Sequence, residues 1–251
     1  MGPLPARPRS RTVWLFDLDN TLHDASRGAF RLIDRAMKDY IVRELDLPGD
    51  EADHLRRHYW ERYGATLLGL VRHHGVRAAH FLHHTHALPG LEAHLRTHAR
   101  DVAALRALPG RKLVLTNAPR AYARRVLDAL DLSRCFDGLL SIEDMRMFGQ
   151  LRPQPDRRMF RALCARLRVA PRDCMLVEDT LVHQKAAHGL GMRTVWMQRW
   201  LRGGGHGPEA HARLRRRPGY VCARIGALRG LHRLPLGPAP EAAGASRQPA
   251  R

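Results

Sequence analysis

Short apolar runs alternate with helical segments along most of the chain. The four strongest candidate strands lie at residues 12–17, 112–116, 174–178 and 193–197. They are short and continuously apolar, which is typical of buried strands. Weaker candidates lie at 138–142 and 219–225, and helical periodicity is clearest at 119–131, 156–168 and 182–189. This alternation predicts an α/β fold, with a Rossmann-like parallel sheet whose ligands bind at the carboxyl ends of the strands.

One block of about eighty residues departs from the alternation. Residues 25–107 have almost continuous helical character, in segments predicted at 26–45, 51–74, 76–87 and 91–107. We therefore expect a helical cap at 25–107, inserted into a core domain formed by 12–24 and 108–233. The predicted basic or disordered tails are 1–11 and 234–251.

Composition and charge restrict the possible classes of protein. The hydrophobic fraction of 44% excludes a wholly disordered chain. The net charge of +19 suits anionic partners, but more than half of the excess lies in residues 1–11 and 201–251, outside the candidate site. We interpret the net positive charge as a general compositional preference for arginine. We expect a small phosphorylated metabolite as partner, and not nucleic acid. No membrane-length apolar run or secretory signal is evident, so we expect a cytoplasmic protein without a membrane partner.

Polar and acidic residues follow three of the predicted strands. Asp17 and Asp19 follow the first strand, where one carboxylate can attack phosphorus and the other can move a proton. Thr116 and Asn117 end the second strand and can donate hydrogen bonds to phosphoryl oxygens. A third pair follows residues 174–177 and suits a hard divalent cation such as Mg²⁺; it consists of Glu178 and Asp179.

This ordered set resembles the haloacid dehalogenase-like (HAD) hydrolase superfamily. The motifs that carry the resemblance are FDLDNT (16–21), LTN (115–117), RPQP (152–155) and VEDT followed by AA and LGM (177–192). The stretch around Tyr59 and Tyr63, together with Leu88-Pro89, resembles the pyrimidine 5′-nucleotidase subfamily. The resemblance spans roughly residues 12–232 and implies a phosphatase with an inserted cap.

The resemblance also implies a role for each motif residue. Asp17 would be the nucleophile that forms an aspartyl-phosphate, and Asp19 would be the general acid and base. Thr116, Asn117 and Gln154 would hold the phosphoryl group. The implied Mg²⁺ ligands are Asp17, Asp19, Glu178 and Asp179. The implied activity is Mg²⁺-dependent hydrolysis of a pyrimidine nucleoside 5′-monophosphate; the alternatives are another small metabolite, such as phosphoglycolate or a sugar phosphate, or a catalytically impaired phosphate- or nucleotide-binding protein.

The third motif departs from the superfamily at one position. A lysine normally precedes the final proline, but Gln154 occupies this position. Glutamine donates a hydrogen bond without supplying charge, and loss of one such stabiliser typically costs about 10²–10³ in rate. Arg152, two residues away, and Arg158, on the following predicted helix, are the candidate cations that could replace the charge of the missing lysine.

The predicted cap is rich in histidines. His80, His83 and His84 share a helical face, which is a geometry that can bind transition metals. They lack an acidic or cysteine partner in the sequence, so we interpret them as polar surface residues. Tyr59 and Tyr63, four residues apart, are equally compatible with core packing and with base stacking.

Overall fold

The computed structural model describes residues 12–201 and 216–234. The predicted tails at 1–11 and 234–251, apart from Leu234, lie outside the described residues, as does most of the arginine-rich stretch 213–217. None of the described helices is both long and apolar enough to cross a membrane.

A six-stranded parallel sheet forms the centre of the fold and confirms the predicted α/β class. Its strands are β1 (Val13–Phe16), β2 (Arg111–Leu115), β3 (Gly138–Leu140), β6 (Cys174–Glu178), β7 (Arg193–Met197) and β8 (Ala223–Ile225). The order across the sheet is β3-β2-β1-β6-β7-β8, with every neighbouring pair parallel. β1 is central and fully buried, because its apolar residues contact cores on both faces of the sheet.

Helices connect the strands and cover the sheet. Between β1 and β2 lie α1 (Ala29–Leu45), α2 (Gly49–Tyr63), α3 (Thr66–His74), α4 (Ala78–His86) and α5 (Ala99–Ala107). Later connections contain α6 (Arg120–Ala129), α7 (Arg157–Leu167) and α8 (Leu181–His188). A two-stranded antiparallel hairpin, β4 (Arg146–Met147) and β5 (Gln150–Leu151), precedes α7 and was not predicted from the sequence.

The helical insertion has an apolar cluster of its own. It is centred on Tyr40, Ile41, Leu70 and Phe81, and it reaches the core through Ile142. Other parts of residues 25–107 pack into the sheet cluster instead, including Ala29, Leu91 and Leu105. The two ends of the insertion are thus anchored on the sheet, while its middle forms a separate layer.

The prediction of one helix at 51–74 was wrong. The chain breaks at Gly64, which has a left-handed backbone with φ of 78° and ends α2. The break lets α3 lie against α2 so closely that a Cβ added to Gly69 would be 2.1 Å from Cγ of Tyr59. Residues 91–107 are also interrupted, because extended backbone separates a 3₁₀ turn at Leu91–His94 from α5.

Three histidine side chains of the insertion pair with tyrosine hydroxyls. The hydroxyls of Tyr59, Tyr63 and Tyr40 lie 2.8, 2.6 and 2.9 Å from ring nitrogens of His74, His73 and His80. Tyr59 is buried in the cluster, which supports the packing interpretation for this residue. Within residues 12–201 and 216–234, the group of side chains close enough together to hold a metal ion contains carboxylates and no histidine.

Candidate active site

Asp17, Glu178 and Asp179 converge at the carboxyl ends of β1 and β6. These strands pair in parallel with Phe16 opposite Val177, so the residues that follow them meet at one edge of the sheet. The Asp17 amide donates a 3.0 Å hydrogen bond to the Val177 carbonyl. One carboxylate oxygen from each acid lies within 4.8 Å of the other two. The structure thus brings together three of the acids that the sequence singled out.

Burial perturbs this cluster strongly. The pKa of Asp17 is raised well above its ordinary value, first by burial and then by the charges of Glu178 and Asp179. Burial and the Glu178 charge likewise raise the pKa of Asp179. In the described part of the chain, no lysine or arginine forms an ion pair with either residue. The cluster therefore carries negative charge that side-chain cations do not offset.

Local hydrogen bonds orient the β6 acids. Glu178 Oε1 accepts from the Thr180 amide at 3.0 Å, and the Thr180 hydroxyl donates to Asp179 Oδ1 at 3.1 Å. The Asp179 carbonyl accepts from Trp196 Nε1 at 2.8 Å. Glu178 Oε2 is buried without a hydrogen bond, although His183 Nδ1 lies 3.3 Å away. This orphaned oxygen, together with the other carboxylates, is a hard donor set that fits a divalent cation such as Mg²⁺.

Asp19 lies beside this cluster and has a different environment. Its Oδ1 accepts a 2.7 Å hydrogen bond from the Tyr122 hydroxyl and lies 2.8 Å from His23 Nε2. The Asp19 side chain retains 15% exposure. Two neighbouring carboxylates thus differ: Asp17 is buried beside Glu178 and Asp179, whereas Asp19 is contacted by a tyrosine and a histidine.

Thr116, Asn117 and Gln154 meet beside the end of β2. Asn117 Nδ2 donates to the Gln154 carbonyl at 3.0 Å, and the Gln154 amide donates to Asn117 Oδ1 at 2.9 Å. Thr116 Oγ1 accepts from the Ala118 amide at 3.1 Å and remains able to donate. The Asn117 side chain therefore holds the Gln154 loop, and its direct contact with a phosphoryl group stays a prediction.

Gln154 is buried at the position where a lysine was expected. Its side chain is 1% exposed, and Nε2 donates to the Leu115 carbonyl at 3.3 Å. Oε1 is buried without a hydrogen-bond partner. Arg152 is engaged elsewhere, with Asp156 at 3.0 Å and Gln150 at 2.7 Å, and Arg158 is exposed on α7. With these contacts, the Arg152 guanidinium does not replace the positive charge of the expected lysine.

Comparison with known families agrees with this geometry. The chain matches the haloacid dehalogenase-like hydrolase family over residues 12–191, which include every predicted site residue. The chain belongs to this family. The match confirms the superfamily recognised from the four motifs, and it identifies the protein as a hydrolase.

Solved structures of this family share the fold. A haloacid dehalogenase-like hydrolase from Bacteroides fragilis superposes with a TM-score of 0.58 at 19% identity, covering 88% of this chain and 99% of that one. An HAD phosphatase from Thermococcus onnurineus gives 0.56 at 20% identity, over 88% and 96%. L-2-haloacid dehalogenase from Xanthobacter autotrophicus, with chloropropionic acid covalently bound, gives 0.52 at 16%, over 88% and 97%.

A curated relative is similar over a shorter segment. Phosphate metabolism protein 8 of Saccharomyces cerevisiae is 33% identical over 69 residues, which are 28% of this chain and 22% of the yeast protein. The chain thus aligns with less than a quarter of that relative.

Sequence analysis missed the two side chains that contact Asp19. His23 follows Asp19 by four residues in an irregular loop, where no periodicity indicates which side chain turns back. Tyr122 is on α6, 103 residues away in sequence from Asp19. Its place in the first turn of α6, four residues after Ala118, is the sequence feature that indicates that it lies near the same edge of the sheet.

Proposed function

We propose that this family member hydrolyses phosphate monoesters in a Mg²⁺-dependent reaction, through an aspartyl-phosphate on Asp17. The observation that carries this proposal is the convergence of Asp17, Glu178 and Asp179 within 4.8 Å, with Asp19 alongside in a separate hydrogen-bonding environment. Bound Mg²⁺ would offset the repulsion between these carboxylates and an anionic substrate. Asp17, Glu178 and Asp179 are the residues that would hold it, with Asp19 contributing through its backbone carbonyl.

The chain's own residues account for the proton and bond changes. An Asp17 oxygen attacks phosphorus as the ester P–O bond breaks, and Asp19 gives its proton to the departing alkoxide. A water then attacks the phosphoryl group and transfers a proton back to Asp19, which releases inorganic phosphate and restores Asp17. The Thr116 hydroxyl and the amides at the start of α6 would stabilise phosphoryl oxygens.

The surroundings of Asp19 favour a phosphatase over a dehalogenase. A halide leaves carbon as a stable anion and takes up no proton, whereas an alkoxide needs one. A second carboxylate with its own donors is therefore useful for a phosphate ester and unnecessary for a haloacid. The concentration of uncompensated negative charge likewise favours a reaction assisted by a divalent cation.

The substrate proposal is a pyrimidine nucleoside 5′-monophosphate, bound beneath a cap that comprises residues 25–107. It rests on the sequence pattern near Tyr59 and Tyr63 and on the name of the yeast relative, which points to phosphate metabolism. Burial of Tyr59 leaves Tyr63 and the exposed Trp60 as the aromatic residues of this segment with accessible surface. Phosphoglycolate or a sugar phosphate is the alternative substrate.

A second candidate function follows from Gln154. With no lysine here, the protein would bind a phosphate or nucleotide and turn it over slowly or not at all. The buried, unpaired Oε1 of Gln154 supports this alternative, because it presents an acceptor where the reaction requires positive charge.

A phosphate-release assay separates these functions. Purified protein is given mononucleotides, sugar phosphates and phosphoglycolate, with MgCl₂ or with EDTA, and Asp17→Asn serves as the inactive control. Mg²⁺-dependent release that is fastest on CMP or UMP supports the nucleotidase proposal. Saturable nucleotide binding without release supports the impaired-binder alternative. If Gln154→Lys raises kcat by about tenfold or more, the missing charge limits the reaction.

A further inference from the structure

Two buried side chains from distant segments contact the same oxygen of Asp19. Tyr122 on α6 is 1% exposed, and His23 in the loop after β1 is 0% exposed. Their polar atoms lie 2.7 and 2.8 Å from Oδ1, and no described residue donates a hydrogen bond to Oδ2. His23 Nδ1 is buried and has no hydrogen-bond partner among the described residues, so the only polar contact of this ring is the one that Nε2 makes with Asp19.

We propose that Tyr122 and His23 are positioning residues that reserve Asp19 Oδ2 as the oxygen that carries the catalytic proton. This inference rests on the proposed phosphatase function. A carboxylate oxygen offers about two acceptor sites, and the two donors occupy both sites on Oδ1. A proton on Asp19 must therefore reside on Oδ2, the oxygen free to face a leaving group.

Tyr122 is suited to be a permanent donor. A phenol ordinarily keeps its proton at neutral pH, and the buried Tyr122 hydroxyl donates the 2.7 Å hydrogen bond to Asp19 Oδ1. Its ring packs edge-on against His86 of α4, with centroids 5.5 Å apart at 78°. The clamp, meaning Tyr122 and His23 together, is thus anchored in the core and contacted by the helical insertion.

Loss of either residue of the clamp should slow only the reaction steps in which Asp19 transfers a proton. An alkyl phosphate has a poor leaving group that must be protonated as the P–O bond breaks, whereas p-nitrophenolate departs without a proton. kcat/KM reports the steps up to and including departure of the leaving group. We therefore expect Tyr122→Phe to lower kcat/KM for an alkyl phosphate by about 10- to 100-fold, and for p-nitrophenyl phosphate by less than about threefold.

A second readout follows the later step. Hydrolysis of the aspartyl-phosphate needs Asp19 as a base with either substrate. In Tyr122→Phe this step should become slower than nitrophenolate release, which would produce a burst of nitrophenolate close to the enzyme concentration. The wild-type protein should show a smaller burst.

Matched variants separate positioning from folding. Tyr40 is also a buried tyrosine bonded to a histidine, His80, but it lies inside the insertion cluster. Tyr40→Phe should change both kcat/KM values equally and should produce no additional burst. At the second donor, His23→Leu should reproduce the Tyr122→Phe selectivity, and His23→Gln, which can place an N–H near the original Nε2, should restore much of the alkyl phosphate activity.

Three outcomes would overturn the inference. Equal losses on both substrates in Tyr122→Phe, without a burst, would show that the hydroxyl serves only the fold. Full alkyl phosphate activity in this variant, with unchanged thermal unfolding, would show that the contact does not position Asp19. If wild-type protein hydrolyses neither substrate with Mg²⁺, the proposed function itself fails, and the inference fails with it.

Discussion

Removal of one charge from the acidic cluster should stabilise the metal-free protein. At the 4.8 Å limit of the cluster, two carboxylates repel by about 3.5 kcal/mol at an effective dielectric constant of 20. The raised pKa values of Asp17 and Asp179 indicate that bound protons relieve part of this repulsion. We therefore expect Asp17→Asn to raise the free energy of unfolding at pH 8 by about 1–3 kcal/mol, which for a chain of this size is about 3–10 °C in Tm.

The dependence on pH has a definite sign. A carboxyl group whose pKa is raised by folding contributes stability that is fully present below its unfolded pKa and is lost as pH rises through the folded value. In metal-free protein, the stability contributed by Asp17 and Asp179 should therefore decline as pH rises from the acidic range toward 8. Asp17→Asn should flatten this decline, since it removes one raised group and lowers the pKa of Asp179.

Thermal unfolding followed by circular dichroism, in EDTA and in increasing MgCl₂, measures both effects. Ligand at about one hundred times its Kd stabilises the folded state by about 2.7 kcal/mol, so wild-type Tm should rise with Mg²⁺. Asp17→Asn should lose most of this increase. A matched control is Asp101, a buried carboxylate paired with Arg199 at 2.7 Å, where Asp101→Asn should destabilise the protein without altering the Mg²⁺ response.

One combination of results would refute this account of repulsion and Mg²⁺ binding in the acidic cluster. If Asp17→Asn lowers Tm in EDTA and the Mg²⁺ response equals that of the wild type, the carboxylates neither repel nor bind the cation as described. Repetition with Asp179→Asn would show whether such a result belongs to one residue or to the cluster.

Three further predictions concern other contacts. Gly69→Ala should destabilise the protein by about 1–3 kcal/mol in urea unfolding, because its Cβ would lie 2.1 Å from Tyr59 Cγ; a wild-type midpoint would contradict this packing. Asn117→Ala should lower kcat by at least about tenfold and the free energy of unfolding by about 1–2 kcal/mol, because two hydrogen bonds to the Gln154 backbone disappear. An unchanged kcat would show that the Gln154 loop keeps its position without these hydrogen bonds. Burial lowers the pKa of His86 to about 4, so this residue should cost about 2–3 kcal/mol of stability as pH falls from 6.5 toward 4, with a sign opposite to that of Asp17 and Asp179. The difference between the wild-type and His86→Gln profiles measures this cost, and identical profiles would argue against a neutral His86.

Much of the sheet could be predicted because strands that are buried on both faces are continuously apolar in sequence. The predicted strands at 174–178 and 193–197 match β6 and β7, and 12–17 contains β1 with one extra residue at each end. These strands are apolar on both faces, and acids follow β1 and end β6. The sequence predicted polar residues at the carboxyl ends of strands in a parallel sheet, and the pairing of β1 with β6 in the structure brings Asp17 to the β6 acids.

The helix boundaries and the contacts of Asp19 could not be predicted in this way. Residues 51–74 keep helical periodicity through Gly64, and a single glycine costs only about 1 kcal/mol in a helix, so the break depends on packing between α2 and α3. The Tyr122–Asp19 hydrogen bond joins residues that are 103 positions apart, and nothing local encodes it. The hairpin β4–β5 has two residues per strand, which is too short for an alternating pattern to be recognised.

Gln154 changes how the charge of the site must be balanced. A lysine would bring a cation to a cluster in which Asp17 and Asp179 have raised pKa values, but glutamine brings a neutral amide whose Oε1 is buried and unpaired. The nearby Arg152 does not replace this lysine, because its guanidinium donates to Asp156 and Gln150. The divalent cation would then be the main positive charge facing both the carboxylates and the phosphate. In this protein, Mg²⁺ would therefore serve substrate binding as well as catalysis, and its removal should raise KM in addition to lowering kcat.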